Sequence, residues 1–225
     1  MRTAHSGHLR LSLVCVFWLT GFDPGLAQQT GTPTVFEPIE FRSPGTNVWQ
    51  RPAGARFALL WGCGGGGGGG RGDFEWGPST IAPEGGTGGG ATIPTMKFAG
   101  PLTADSYTIT VGRGGGSNQD GQATSFGAQG AQETTYIFAG GVAGHFNRDN
   151  GTSSAGQSSE YGPGGSAGAP GSNGGSAIAF CAGGGGGGQP IWDGKRKLKK
   201  IDDPHPGGGG GPGYFVLYVL PSPTP

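Results

Sequence analysis

From residue 36 onward the chain alternates short apolar runs with glycine. The runs are 36–41, 48–49, 57–61 (FALLW), 96–98, 107–111 (YTITV), 134–138 (TTYIF), 177–180 (AIAF) and 214–220 (YFVLYVL). They are rich in β-branched and aromatic residues and end at Gly, Pro, Asn or Ser, which is the pattern of strands. No segment keeps an apolar period of 3.6 residues over ten positions, so almost no helix is predicted apart from the N-terminal segment. The pattern predicts an all-β chain folded as a small β-sandwich or barrel-like module.

Composition sharpens this reading. Of 225 residues, 54 are Gly and 18 are Pro. Such a chain would be a disordered linker if its glycine were spread evenly and its charge were high. Neither holds. Fourteen basic and fourteen acidic residues cancel, a balance that points to no nucleic acid partner. Strand-like runs also stand at the borders of the glycine tracts, as in FALLW-GCGGGGGGG, AIAF-CAGGGGGG and GGGGGPG-YFVLYVL. A threefold extended helix of about 3.1 Å rise has no internal hydrogen bonds, so its amides point sideways and need partners. Neighbours that lack side chains approach closely enough to supply them. Packed polyglycine II-like segments, anchored by strands, are therefore expected, and the glycines at 165, 168, 171 and 174 show the matching period of three.

The N-terminus reads as an export signal: Arg2 and Arg10, an apolar stretch at 11–19, then Gly25-Leu26-Ala27. The stretch is about half the roughly 20 residues a membrane-spanning helix needs. The expected organisation is a signal-like segment at 1–27, a linker at 28–35, a glycine-rich β domain at 36–220 and a Pro-rich tail at 221–225. An extracellular or virion-surface location is expected, with no integral membrane segment in the mature chain. Removal of the signal leaves Cys63 and Cys181, too few for a zinc site. In an oxidising compartment they could pair; otherwise they are two small buried thiols.

The segments FRSPGTNVWQRPAGARFALLWGCGGGGGGG (41–70), PLTADSYTITVGRGGG (101–116), QATSFGA (122–128) and GGGGGPGYFVLYV (207–219) follow one another in an order that resembles the glycine-rich domain of bacteriophage tail fibres and related prophage surface proteins. The resemblance implies a compact β-rich module at exposed parts of virions, contacting the host surface, with homo-oligomer or virion assembly. Its partner would be a cell-surface glycan or envelope protein. An export signal and the absence of a heptad shaft depart from that family, as does the charged insertion at 189–206.

That insertion places five basic residues, Lys195, Arg196, Lys197, Lys199 and Lys200, within six positions beside Trp192. The group suits a polyanion such as lipopolysaccharide phosphate or an acidic glycan, or else is a solvated protrusion neutralised by Asp193, Asp202 and Asp203. Arg71-Gly72-Asp73 matches a cell-attachment tripeptide, a weak signal in a glycine-rich chain. Phe74 and Trp76 beside it form a sugar-stacking surface on a long loop or simply pack. Recognition is expected on loops 71–80, 145–161 and 189–206.

Enzymatic signatures fail on inspection. Gly164-Gly165-Ser166-Ala167-Gly168 has the letters of a nucleophile elbow but no strand before it and no helix after it. Gly194-Lys195 lacks the rest of a phosphate-binding loop. His145 and His205 are not in metal-ligand spacing. Neither metal nor cofactor is expected. The Asn150-Gly151-Thr152 sequon fits a turn as well as a glycan. The rival to a non-enzymatic recognition module is an exported structural protein, of matrix or ice-associated type.

Overall fold

The computed structural model describes residues 37–76, 81–128, 134–145, 152–190 and 205–221, all within the compact unit Val35–Pro225. The N-terminal segment lies outside the described residues.

Ten strands form. One antiparallel sheet has the order β1 (Ile39–Phe41), β10 (Tyr214–Pro221), β3 (Ala55–Cys63), β6 (Thr95–Ala99). A second has the order β2 (Gly45–Gln50), β7 (Ser106–Val111), β8 (Thr124–Ala128), β9 (Tyr136–Phe138). A separate hairpin pairs β4 (Asp73–Trp76) with β5 (Ile81–Glu84). No helix occurs among the described residues.

The two four-stranded sheets form a sandwich because each turns an alternating apolar face inward. β7 buries Tyr107, Ile109 and Val111, and β10 buries Phe215, Leu217 and Val219 against Gly62, Leu60 and Ala58 of β3. Rings join the layers. Phe126 stacks on Tyr107 at 4.9 Å within its own sheet and on Phe215 of the other sheet at 6.1 Å, while Phe138 meets Phe215 edge-on at 5.7 Å. Burying each such side chain stabilises by roughly 1.5–3 kcal/mol.

Two expectations need correction. The run 177–180 (AIAF) is not a strand but leads into a turn. Ile178 is 93% exposed, and Phe180 packs on Tyr161 and Tyr214 while Cys181 takes a φ of 64°. The left-handed residue ends any extended run there. Phe74 and Trp76, assigned to a long loop, lie on strand β4, where the Phe-Glu-Trp run finds a partner strand in β5.

Outside the sandwich the glycine tracts form a lattice. Gly65, Gly68 donate to Gln122 and Gln119; Gly66, Gly69 and Gly72 donate to Gly211, Gly208 and His205; Gly67 and Gly70 donate to Gly90 and Thr87. Every third amide thus reaches the same neighbour. The carbonyls repeat likewise: Gly65 and Gly68 accept from Gly141 and Gly144, Gly66 and Gly69 from Gly115 and Asn118, Gly67 and Gly70 from Gly184 and Gly187. The 64–72 segment is therefore a threefold rod ringed by neighbours on all sides. At about 3.1 Å per residue it runs roughly 25 Å.

A second such rod lies beside it. Gly183 and Gly186 donate to Gln157 and Ser154, Gly184 and Gly187 to Gly67 and Gly70, Gly185 and Gly188 to Gly175 and Ser172. The period of three at Gly165, Gly168 and Gly171 is one face of a third segment, whose amides donate to Gly183, Gly186 and Gln189.

The reason for glycine is closeness. A Cβ on Gly64, Gly65, Gly66, Gly67, Gly68, Gly69 or Gly70, or on any glycine of 183–188, would fall on a neighbouring backbone carbonyl, nearer than the 3.0 Å that real Cβ atoms respect. None of these tract glycines has a positive φ. The two longest polyglycine runs, 64–70 and 183–188, are the two rods enclosed on every side. The shorter run 207–211 has room for a side chain at Gly209, and other segments with a free face carry Thr87, Val142 or Ser166 among their glycines.

Candidate functional site

Lattice rods begin at the sandwich and end away from it. At the near end Thr124, fully buried, donates its hydroxyl to the Cys63 carbonyl at 2.8 Å and accepts from the Gly112 amide at 3.0 Å, and the Thr92 hydroxyl donates to the Gly64 carbonyl at 2.8 Å. These bonds satisfy backbone groups where strands stop and rods start. Cys63 and Cys181 form a disulfide there, with Cα atoms 6.2 Å apart and a sequence separation of 118. The bridge joins the residue before Gly64 to the turn that opens the 183–188 rod, so it ties together the first residues of both enclosed rods.

At the far end, Gly70 bonds Thr87, Gly72 bonds His205, Thr87 bonds His145, Ser154 bonds Gly86, and Gly187 bonds Gly70. Three excursions from the lattice leave from these residues: the β4–β5 hairpin after Gly72, the connection after His145 that returns at Thr152, and the connection after Pro190 that returns at His205. The lattice thus gathers the bases of these three excursions at one end of the molecule, opposite the sandwich. The expected loop 145–161 is corrected in its later part, because Ser154, Gly156 and Gln157 donate to Gly86, Gly165 and Gly89 as a lattice segment and Tyr161 packs at the sandwich on Tyr214.

Arg71 sits at this end for a definable reason. Side-chain positions on Gly65 and Gly68 point at Arg113 and Gly116, and position 71 is the next in that series. By then the neighbouring segment has turned away at Ser117 and Asn118, whose φ is 58°. The freed Arg71 amide is met by the Asn118 side-chain Oδ1 at 3.0 Å. Here a side chain fits, and the polyglycine run ends. The Arg71 guanidinium pairs with Asp73, with Nε 3.1 Å from Oδ2 and Nη2 on the same oxygen. Both are partly exposed, at 47% and 34%. The charges of the attachment-like tripeptide therefore bind one another, an ion pair worth about 0–1 kcal/mol at a solvated surface.

Phe74 and Trp76 are in β4 at the same end. Trp192, Lys195, Arg196 and Lys197 lie outside the described residues, as does Asn150 of the sequon. Among the described residues no group of His, Cys, Asp and Glu could hold a metal ion, and no helix is long and apolar enough to cross a membrane. Gly164–Gly168, the apparent nucleophile elbow, is a lattice segment whose Ser166 carbonyl accepts from Gly175.

A ring cluster on the outer face of β3 and β10 had no counterpart in the sequence reading. The Trp61 Nε1–H donates to the Tyr161 hydroxyl at 3.1 Å; Tyr161 meets Tyr214 at 5.1 Å, and Phe180 meets Tyr214 at 5.2 Å. Burial pushes the Tyr214 hydroxyl up to about 12, helped by the nearby Glu40 charge. Burial also raises Tyr161, against the opposing bond from Trp61. Trp61 and Tyr214 could be foreseen as strand ends, but Tyr161 comes from a stretch of Ser, Gly and Pro and offered no pattern.

No curated protein matches the chain. Its residues 42–219, which span both sheets and the lattice, match the family model of the glycine-rich domain, and the chain belongs to that family.

Proposed function

We propose that this chain is a non-enzymatic surface-recognition module of the phage tail-fibre kind, exported or virion-borne, that meets a cell-surface glycan or envelope protein with the far end of its lattice. The observation that carries the reading is the common origin of the loops. Segments distant in sequence leave the lattice together, from rods whose amides are bonded to neighbours on every side. A base of that kind loses little freedom when a ligand binds, which favours affinity for a given contact area. The motif order shared with tail-fibre domains supports the same reading, and so does the cationic run 195–200 beside Trp192, whose charges suit phosphate or acidic sugar.

Binding of the purified chain to bacterial envelope fractions and to isolated lipopolysaccharide tests this. Replacing 191–204 by a Gly-Ser linker, or Phe74 and Trp76 by Ser, is expected to abolish binding while far-ultraviolet circular dichroism is unchanged. If the intact chain binds no envelope fraction, or if both variants bind as it does, the reading fails.

A further inference from the structure

A cleft of about 430 Å³ opens where the edge strand of one sheet, β6, faces the edge strand of the other, β9, and the 91–93 segment of the lattice runs past. Its volume is within the roughly 300–1,000 Å³ of small-molecule sites. Much of its lining is apolar, from Ile93, Ile137, Phe138 and the Cys63 side of the disulfide. Ile93 is 83% exposed and Ile137 55%. Single exposed aliphatics are ordinary on protein surfaces, but two beside one cleft form a rim that water solvates poorly.

Among the described residues of the lining, Lys97 alone is charged. Its Nζ donates to the Ile137 carbonyl at 2.7 Å and lies 5.1 Å from the centre of the Phe138 ring. No ion pair involves Lys97 among the described residues. An ammonium has three donors, so after the Ile137 carbonyl it retains capacity for an anion. Guarding the open edge of β9 accounts for the bond to Ile137. It does not account for a cavity beside the ammonium with an aliphatic rim.

We propose that this cleft binds an amphipathic anion, a single carboxylate or phosphate head held by Lys97 with a short unbranched apolar body laid along Ile93 and Ile137. The site lies at the sandwich, away from the far-end loops, and does not depend on the recognition reading.

Calorimetric titration of the full chain with decanoate and with decyl phosphate, each below its micelle-forming concentration, tests the proposal. Decanol and decyltrimethylammonium serve as neutral and cationic controls. Saturable binding of one or both anions is expected, with the controls failing. The anion that binds more tightly tells whether a free fatty carboxylate or a lipid phosphate is the closer mimic. Lys97→Gln should weaken binding about tenfold, the effect of losing one charge-assisted hydrogen bond, and Lys97→Arg should retain it. Ile93→Asp, at a position too exposed to be needed for folding, should also weaken it, and replacement of 191–204 should leave it intact. The proposal is overturned if neither anion binds saturably, if decanol binds as well as decanoate, or if both Lys97→Gln and Ile93→Asp bind like the unaltered chain.

Discussion

The sandwich and the lattice solve the same problem by opposite means. Both must pair buried amides and carbonyls. In the sandwich, strands pair edge to edge and side chains such as Phe126 and Phe215 fill the space between sheets. In the lattice each enclosed rod pairs with neighbours all round, and nothing fills the space because the backbones themselves are in contact. The sandwich gains from apolar area removed from water. The lattice gains about 0.5–1.5 kcal/mol net per hydrogen bond and must offset the backbone entropy of glycine. A core of rings tolerates exchange of one hydrophobe for another of similar volume, whereas a core of backbones tolerates no side chain at all.

The largest expected effect comes from the sandwich. Phe126→Ala removes the ring that touches Tyr107, Trp49, Tyr136 and Phe215 and should cost about 3–5 kcal/mol, read as a fall in the denaturant midpoint. Next is Gly186→Ala, which adds one methyl but drives it into the Gly86 carbonyl. The cost expected is about 3 kcal/mol, the upper end of ordinary overpacking, because the wall is backbone that cannot change rotamer. Gly209→Ala is the matched control: the nearest atom to its Cβ is 3.5 Å away, and a change within about 0.5 kcal/mol is expected. Equal effects at Gly186 and Gly209 would mean that the rods are not in close contact.

The sandwich was legible because its strands alternate, as in YTITV, where Tyr107, Ile109 and Val111 point inward. The lattice was legible from the polyglycine runs and from the period of three at Gly165, Gly168 and Gly171. Which segments neighbour which was not, since glycine carries no side chain to distinguish one partner from another. AIAF misled because composition cannot report whether a pairing strand is at hand, and the left-handed Cys181 is invisible in sequence. At the candidate site, the residue types were visible, but the mutual pairing of Arg71 and Asp73 and the shared end of the loops depend on the lattice.

The disulfide crosses the boundary between the two regions, so its removal measures how far they depend on each other. Joint Cys63→Ser and Cys181→Ser substitution frees a loop of 118 residues and should cost about 2–4 kcal/mol. Amide exchange locates the loss. In the intact chain the amides of 65–70 and 183–188 should exchange as slowly as those of β3 and β7. In the double variant the rods should exchange faster than the strands, since the bridge holds the rods at their first residues. Equal acceleration in both regions would show that they unfold as one unit.

The smallest effect is expected from pH, and it reads the same boundary through Tyr214, the first residue of β10 after the last glycine tract. Burial, then the Glu40 and Tyr161 charges, push its hydroxyl up to about 12, with Arg42 opposing; an unfolded tyrosine titrates near 10. The folded state therefore holds the proton over a range in which the unfolded state has released it. The corresponding stability is fully present below pH about 10, declines as pH rises from about 10 to about 12, and does not decline further once both states are ionised. Denaturant midpoints measured from pH 9 to 12.5 should fall across that window, and Tyr214→Phe should flatten the fall without removing the part due to Tyr161, whose hydroxyl is raised in the same direction. A Tyr214→Phe chain whose midpoint falls as steeply as that of the unaltered chain would show that the ring cluster at the head of β10 is open to water and adds nothing to the joint between sandwich and lattice.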